Sequence, residues 1–375
     1  MKSTFTLASL VLGVAAALTL VGGTAHAYPQ FQMSRDQTCT GCHFSPAGGG
    51  LLNENGLATA EGISQFGTAP EFFYGKIPTP GFLTLGGDLR SATGYVASPE
   101  KLLTAFPMQA DVYARAALPA GLSVYVNVGA RPPQVGNENT TSVWSREHFV
   151  TWQQNPGENN GLYVRLGRFM PVFGLRFVEH PIYTRRLGGT PLYGETYGLA
   201  VEYVQPKYEV HVTGFIKDPI IDTPEHSNGA AAIAEYRLTE RFSVGAETMY
   251  TQSVDDKKIR VGAISKLLLP FDTLLQFEGQ FMNQLVEPRG APKQIISYLM
   301  VSKPLDPGLL IDVGLGYFNE NVAIKQLDRE AFDLNFHWFA TSHVELIFTG
   351  RLEMLAFGSG GSNAGYALGQ LHYRL

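Results

Sequence analysis

From residue 82 to the end, the chain alternates apolar and polar side chains at a period of two. That is the spacing of a β-strand whose two faces meet different surroundings. Leu122, Val124, Val126 and Val128 share one face, and Ser123, Tyr125 and Asn127 the other. Tyr208, Val210, Val212 and Ile216 alternate with Glu209, His211, Thr213 and Lys217, and Phe332, Leu334, Phe336 and Trp338 with Asp333, Asn335 and His337. The same texture runs through Ile311–Tyr317 and Val344–Glu353. Sixteen such segments, the first at 82–97 and the last at 363–375, are separated by turn signals; 105–118, 193–204 and 271–282 are among them.

Alternation alone suits a soluble sandwich, with its apolar face inward, or a membrane barrel, with its apolar face outward. Segments of ~10 residues recur to the chain end, as in outer-membrane strands. Aromatics stand near segment ends, at Phe169, Tyr203, Tyr250, Phe318 and Trp338, as interfacial girdles require. The chain closes on Leu371, Tyr373 and Leu375 alternating with Gln370, His372 and Arg374. These features predict an all-β fold, a transmembrane outer-membrane β-barrel of about 16 antiparallel strands over 82–375. Composition agrees, with 41 glycines, 17 tyrosines, 23 phenylalanines and only 16% charged residues. At that strand number the bore is wide enough to admit an N-terminal plug.

The N-terminus reads differently. Residues 1–27 form a secretory signal, with Lys2, an apolar run from Leu7 to Val21, and Ala25-His26-Ala27 as the cleavage site. After it, no apolar run reaches the ~18 residues of a helical span. Residues 28–81 hold Cys39-Thr40-Gly41-Cys42-His43, a C-x-x-C-H haem-attachment pattern in which both cysteines form thioethers and the histidine ligates the iron. A thioredoxin-type pair would want a surrounding βαβ unit, a zinc site a second ligand pair, and a plain disulfide leaves the histidine unexplained. One covalent haem c is therefore expected, with Cys39 and Cys42 as thioether residues and His43 as proximal ligand. Gly48-Gly49-Gly50 follows closely, either to let backbone approach the flat ligand or as a simple turn. Leu51, Leu52, Leu57 and Ile63 offer apolar contacts to the porphyrin, and Pro78, Pro80 and Gly81 close the segment.

The distal ligand is not legible. Met33, His148, His180, His211, His337 and His372 are candidates, each with an ordinary packing or wall role as the alternative. The stretch Met170–Leu192 is the longest irregular one and carries Arg176, Glu179, His180, Arg185 and Arg186, with Arg165 and Arg168 just before it. Folded inward, its arginines would face haem propionates; folded outward, it is a charged surface loop.

The formal charge of −5 divides into +3 over residues 82–192 and −7 over 193–375. No basic stripe points to nucleic acid. The later acidic excess would attract a cation by field focusing. No G-x-S-x-G elbow, H-E-x-x-H or P-loop occurs, so no hydrolytic or transferase chemistry competes and the expectation is an electron carrier.

A signal peptide, one C-x-x-C-H and a porin-like barrel together resemble the monohaem cytochrome-porin fusion proteins of the outer membranes of iron-oxidising bacteria. Only Cys39, Cys42 and His43 carry over residue by residue. The resemblance implies an outer-membrane relay between an extracellular redox-active metal or soluble donor or acceptor and a periplasmic c-type cytochrome or other carrier, and, if it turns over, an Fe(II):cytochrome oxidoreductase. The alternative is a transport porin, anion-selective through the Arg165–Arg186 cluster, with a tethered cytochrome for docking or gating. A soluble periplasmic β-sandwich cytochrome is the third reading.

Overall fold

Strand alternation resolves into a single closed sheet. The computed structural model describes Met33 and residues 38–97, 101–130, 143–177, 179, 181–191, 194–219, 227–254, 256–286, 292–355 and 363–375. The expected signal segment 1–27 and His180 lie outside the described residues. In chain order the strands are β1 (Leu83–Ala97), β2 (Lys101–Ala117), β3 (Leu122–Ala130), β4 (Val143–Gln153), β5 (Gly161–Phe169), β6 (Thr196–Val204), β7 (Tyr208–Ile216) and β8 (Asn228–Thr239). They continue with β9 (Phe242–Gln252), β10 (Lys257–Leu268), β11 (Leu274–Gln284), β12 (Lys293–Asp306), β13 (Leu309–Asn319), β14 (Asp328–Phe339), β15 (Val344–Leu355) and β16 (Asn363–Arg374). Each pairs antiparallel with its sequence neighbours, and β1 pairs β16, with Leu89 opposite Tyr373, to close the barrel.

Three expected strand limits shift, two of them for local reasons. β2 starts at Lys101 and not near 105. Pro107 cannot donate to the ladder and sits where the register slips between Arg90 and Ser91, so a bulge interrupts the alternation without ending the strand. β11 starts only at Leu274, because Phe271 and Asp272 adopt φ of 60° and 57°, a left-handed turn that no strand continues through. β6 starts at Thr196 and not near 193.

Alternation also decides inside from outside. Leu122, Val124 and Val128 are exposed while Ser123, Tyr125 and Asn127 are buried, and likewise Val210 and Val212 are exposed while Glu209, His211 and Thr213 are buried. The apolar face is the outer one. Leu103, Leu166 and Leu352 are 73%, 62% and 59% exposed on that surface. A sandwich would hide this face, so the soluble β-sandwich reading falls. A closed barrel leaves no unpaired edge and turns its apolar side chains outward, as hydrocarbon surroundings require. Two of the expected girdle aromatics point the other way. Phe169 and Phe318 are 0% and 5% exposed because each is the inward residue of its strand end and packs inside the lumen, whereas Tyr203 and Tyr250 do face outward.

The two barrel ends differ. Connections such as β6–β7, β8–β9 and β12–β13 are two or three residues long, whereas β5–β6 takes 26. Short turns mark the periplasmic end of outer-membrane barrels and long loops the outer end. The long β5–β6 connection folds inward, not over the surface. Val172, Phe173, Phe177, Ile182 and Tyr183 are all buried, and its short helix α2 (Tyr183–Arg186) lies against β11, β12 and β13.

Candidate functional site

The described part of the N-terminal segment fills the space the loop leaves. Thr38–Cys42 forms one tight turn, with Gly41 N–H donating to Thr38 O at 3.0 Å and His43 N–H to Cys39 O at 2.9 Å. This turn places both cysteines and the histidine on one short arc. The helix α1 (Glu54–Ile63) then braces it. Asn53 caps α1 by accepting from Gly56 N–H at 2.9 Å, and its amide donates to Thr40 O at 2.9 Å. Asn55 donates to Gly41 O at 2.8 Å and lies 3.8 Å from Cys42 Sγ. Gly56 is needed for closeness: a Cβ there would collide with the Cys42 carbonyl.

Contacts place this segment inside the barrel. Thr40 Oγ1 donates to Asn159 O, in the β4–β5 turn, at 2.5 Å, which sets the cysteine turn near the short-turn end. Phe44 and Leu51 pack with Tyr113, Tyr125, Phe149 and Phe169 of the inner wall, and Arg115 lies 4.1 Å over the Phe44 ring. Leu51 is thus engaged with the wall. Deeper still, Arg165 Nη1 reaches Ser45 Oγ at 3.3 Å and Arg176 Nη1 donates to Ala47 O at 2.6 Å. Gly48, Gly49 and Gly50 all have positive φ, and a Cβ on Gly50 would stand 2.7 Å from Tyr125 Oη. Gly50 thus serves close approach to the barrel wall, whereas a Cβ on Gly48 would face the Cys39 side chain at 3.6 Å. Past α1 the chain returns to the short-turn end: Gln65 and Phe66 N–H donate to Phe339 and Ala340 O, Trp338 Nε1 to Gln65 Oε1 at 2.6 Å, and the Tyr74 ring lies tilted 4.0 Å from that of His343.

The residues fit a covalent haem chemically. No disulfide joins Cys39 and Cys42. Burial pushes the Cys39 thiol up to about 12, which makes a thiolate nucleophile or redox pair a poor reading. Burial also pulls His43 down to about 4, leaving the neutral imidazole that a metal takes. His43 Nδ1 is buried with no hydrogen-bond partner among the described residues.

The expected distal ligands are otherwise engaged. His148 contacts Ser145 Oγ at 2.9 Å and Tyr197 Oη at 3.0 Å. His211 lies between Glu202 and Glu209, and His372 between Glu345 and Asp88. His337 pairs Glu345 and Asp312, and Met33 packs against Leu268 and Leu274.

The arginine cluster splits in two. Arg165 forks onto Glu202 at 3.0 and 2.8 Å, and Arg168 pairs Asp218 at 2.8 Å, so these two are neutralised and do not await an anion. Arg186 is exposed. Arg176 and Arg185 each keep a buried Nε without a partner, and no carboxylate salt bridge reaches either among the described residues. Burial lowers both, Arg185 to about 10. Arg176 also holds φ 54°, a left-handed conformation unusual outside glycine. Sequence reasoning missed the wall carboxylates that neutralise Arg165 and Arg168, because cross-strand partners lie dozens of residues away.

No protein-family model matches the chain, and no curated protein matches it. Solved structures do. The outer-membrane expressed OmpT of Vibrio cholerae aligns with TM-score 0.58 and 11% identity, covering 80% of this chain and 100% of that one. An anion-selective porin from Comamonas acidovorans gives 0.60 and 13%, covering 78% and 99%. OprB of Pseudomonas putida gives 0.59 and 12%, covering 78% and 94%. The chain is therefore a closed 16-strand antiparallel barrel of the outer-membrane porin fold.

Proposed function

We propose that this is an outer-membrane electron-transfer protein carrying one haem c on Cys39 and Cys42, with His43 as proximal ligand, inside the short-turn mouth of the barrel. It relays electrons between a donor or acceptor outside, Fe(II) among them, and a periplasmic c-type cytochrome or other carrier. The observation that carries this reading is that the stretch bearing the C-x-x-C-H turn sits in the lumen, with Thr40 bonded to the β4–β5 turn at Asn159, Ser45 to the wall at Arg165 and Ala47 to the inward loop at Arg176. Haem supplies one-electron chemistry when bound. The chain supplies position: two sulfurs on one turn, a neutral imidazole beside them, and Arg176 and Arg185 as half-buried cations suited to carboxylates such as propionates. One Fe(II) oxidised outside releases one electron, and one carrier molecule on the short-turn side takes it up.

The likeness to porins and channels supports a second reading more directly: a transport porin whose tethered cytochrome docks a partner or gates the pore. Pairing of Arg165 and Arg168 with carboxylates weakens its anion-selective form. Burial of wall residues such as Glu202 and Thr213, both 0% exposed, suits a filled lumen better than an open one.

Reconstitution in liposomes separates the two. The redox reading expects a Soret band, reduction by a membrane-impermeant external donor, and near-zero steady conductance. A colourless protein with titratable thiols and a stable open conductance would leave only the transport reading.

A further inference from the structure

A second group of metal-ligand side chains stands in the lumen apart from the cysteine turn. Glu179 comes from the inward loop, Asp312 from β13 and His337 from β14, and one ligand atom of each lies within 4.8 Å of the others. His337 Nε2 is 3.1 Å from Asp312 Oδ2 and 4.0 Å from Glu179 Oε1. Donor atoms around one first-row cation with bonds of ~2.0–2.2 Å stand at comparable separations. We propose that Glu179, Asp312 and His337, with Asn335 as a fourth donor, bind a divalent first-row cation.

The other ring nitrogen of His337 supplies the first supporting observation. Nδ1 lies 3.0 Å from Glu345 Oε1, and Glu345 is itself held by His372 Nδ1 at 3.0 Å. With a metal on Nε2, the carboxylate behind the imidazole holds the proton on Nδ1, the arrangement that metal-ligating histidines adopt. Without a metal, Nε2 and Asp312 Oδ2 pair at 3.1 Å, and a cation bound here takes the place of the proton between them.

Asn335 supplies the second. It is directly opposite Asp312 in the β13–β14 register and two residues from His337, so all three share the inward face. Asn335 is 1% exposed, and its Oδ1 and Nδ2 both lack hydrogen-bond partners among the described residues. Coordination through Oδ1 relieves one of these. One imidazole, two carboxylates and an amide oxygen, without sulfur, select a borderline cation of the Mn(II) to Zn(II) series over Mg(II), which prefers all-oxygen sites, and over Cu(I), which prefers thiolates.

The test uses untagged full-length protein in detergent, with Zn(II), Mn(II) and Mg(II) as probes in equilibrium dialysis. It is repeated on Cys39→Ser/Cys42→Ser protein, so that the result does not depend on haem. One Zn(II) per chain is expected in both, displaced little by excess Mg(II). Glu179→Gln and Asp312→Asn should each weaken binding roughly tenfold or more, and Glu345→Gln by ~10–100-fold, as loss of an orienting carboxylate does. Glu179 sits on a loop, so its variant keeps the barrel, which heat-modifiable migration confirms. Uptake absent at 1:1, unchanged in Glu179→Gln and Asp312→Asn, or lost only with the cysteines would each overturn the assignment.

Discussion

Arg176 Nη1 donates to the Ala47 carbonyl at 2.6 Å, so the long inward loop and the N-terminal segment, 129 residues apart, meet through one guanidinium. A hydrogen bond from a charged donor contributes ~1.5–3 kcal/mol. Arg176→Ala should therefore free the Ser45–Gly50 backbone. Amide exchange there is expected to speed up by ~10–100-fold while the strands stay protected. Unchanged exchange would mean that packing alone holds the segment.

The Arg165–Glu202 fork is buried on both sides, with His211 on the same carboxylate. Removing one partner leaves a buried charge without its counter-ion, at a cost of ~3–5 kcal/mol. Arg165→Met should lower the unfolding free energy by that amount, read from urea titration with lipid or detergent present. Arg165→Met/Glu202→Met should recover most of it. A double variant as weak as the single one would show that the pair acts through geometry and not charge.

Gly56 lets α1 touch the Cys42 carbonyl. Gly56→Ala must push the helix from the cysteine turn, although alanine favours helix formation. Haem content per barrel is expected to fall severalfold with heat-modifiable migration intact. Full haem loading would show that α1 does not brace the attachment turn.

Acid should loosen the segment in haem-free Cys39→Ser/Cys42→Ser protein. His43 is lowered from 6.5 to about 4, so its folded form is the neutral one. The folded state binds fewer protons than the unfolded, so stability is complete above pH 6.5 and is lost as pH falls toward 4. Trp338, bonded to Gln65, reports the change by fluorescence. A flat signal between pH 7 and 4 would refute it.

The sixteen strands were legible because each reports its own two faces: Glu209, His211 and Thr213 against Val210 and Val212 need only local spacing. Even β2, with Pro107 in it, was found, although its start was not. The cysteine turn was equally local, since five consecutive residues carry the chemistry. Phe169 and Phe318 show where this stops. An aromatic at a strand end reads the same whether it meets lipid headgroups or the buried loop, and only the filled lumen separates the cases.

The order of side chains along the chain determined that there would be strands, about how many, and that Cys39, Cys42 and His43 would share a turn, because those are short-range properties of spacing and covalent neighbourhood. Tertiary structure alone decided that residues 170–177 turn inward, which strand-end aromatics face the lumen, and which arginines are spent on carboxylates. Closing the barrel brings Arg165 to Glu202 and Glu179 to His337 across gaps of 37 and 158 residues, and periodicity carries no information about such meetings.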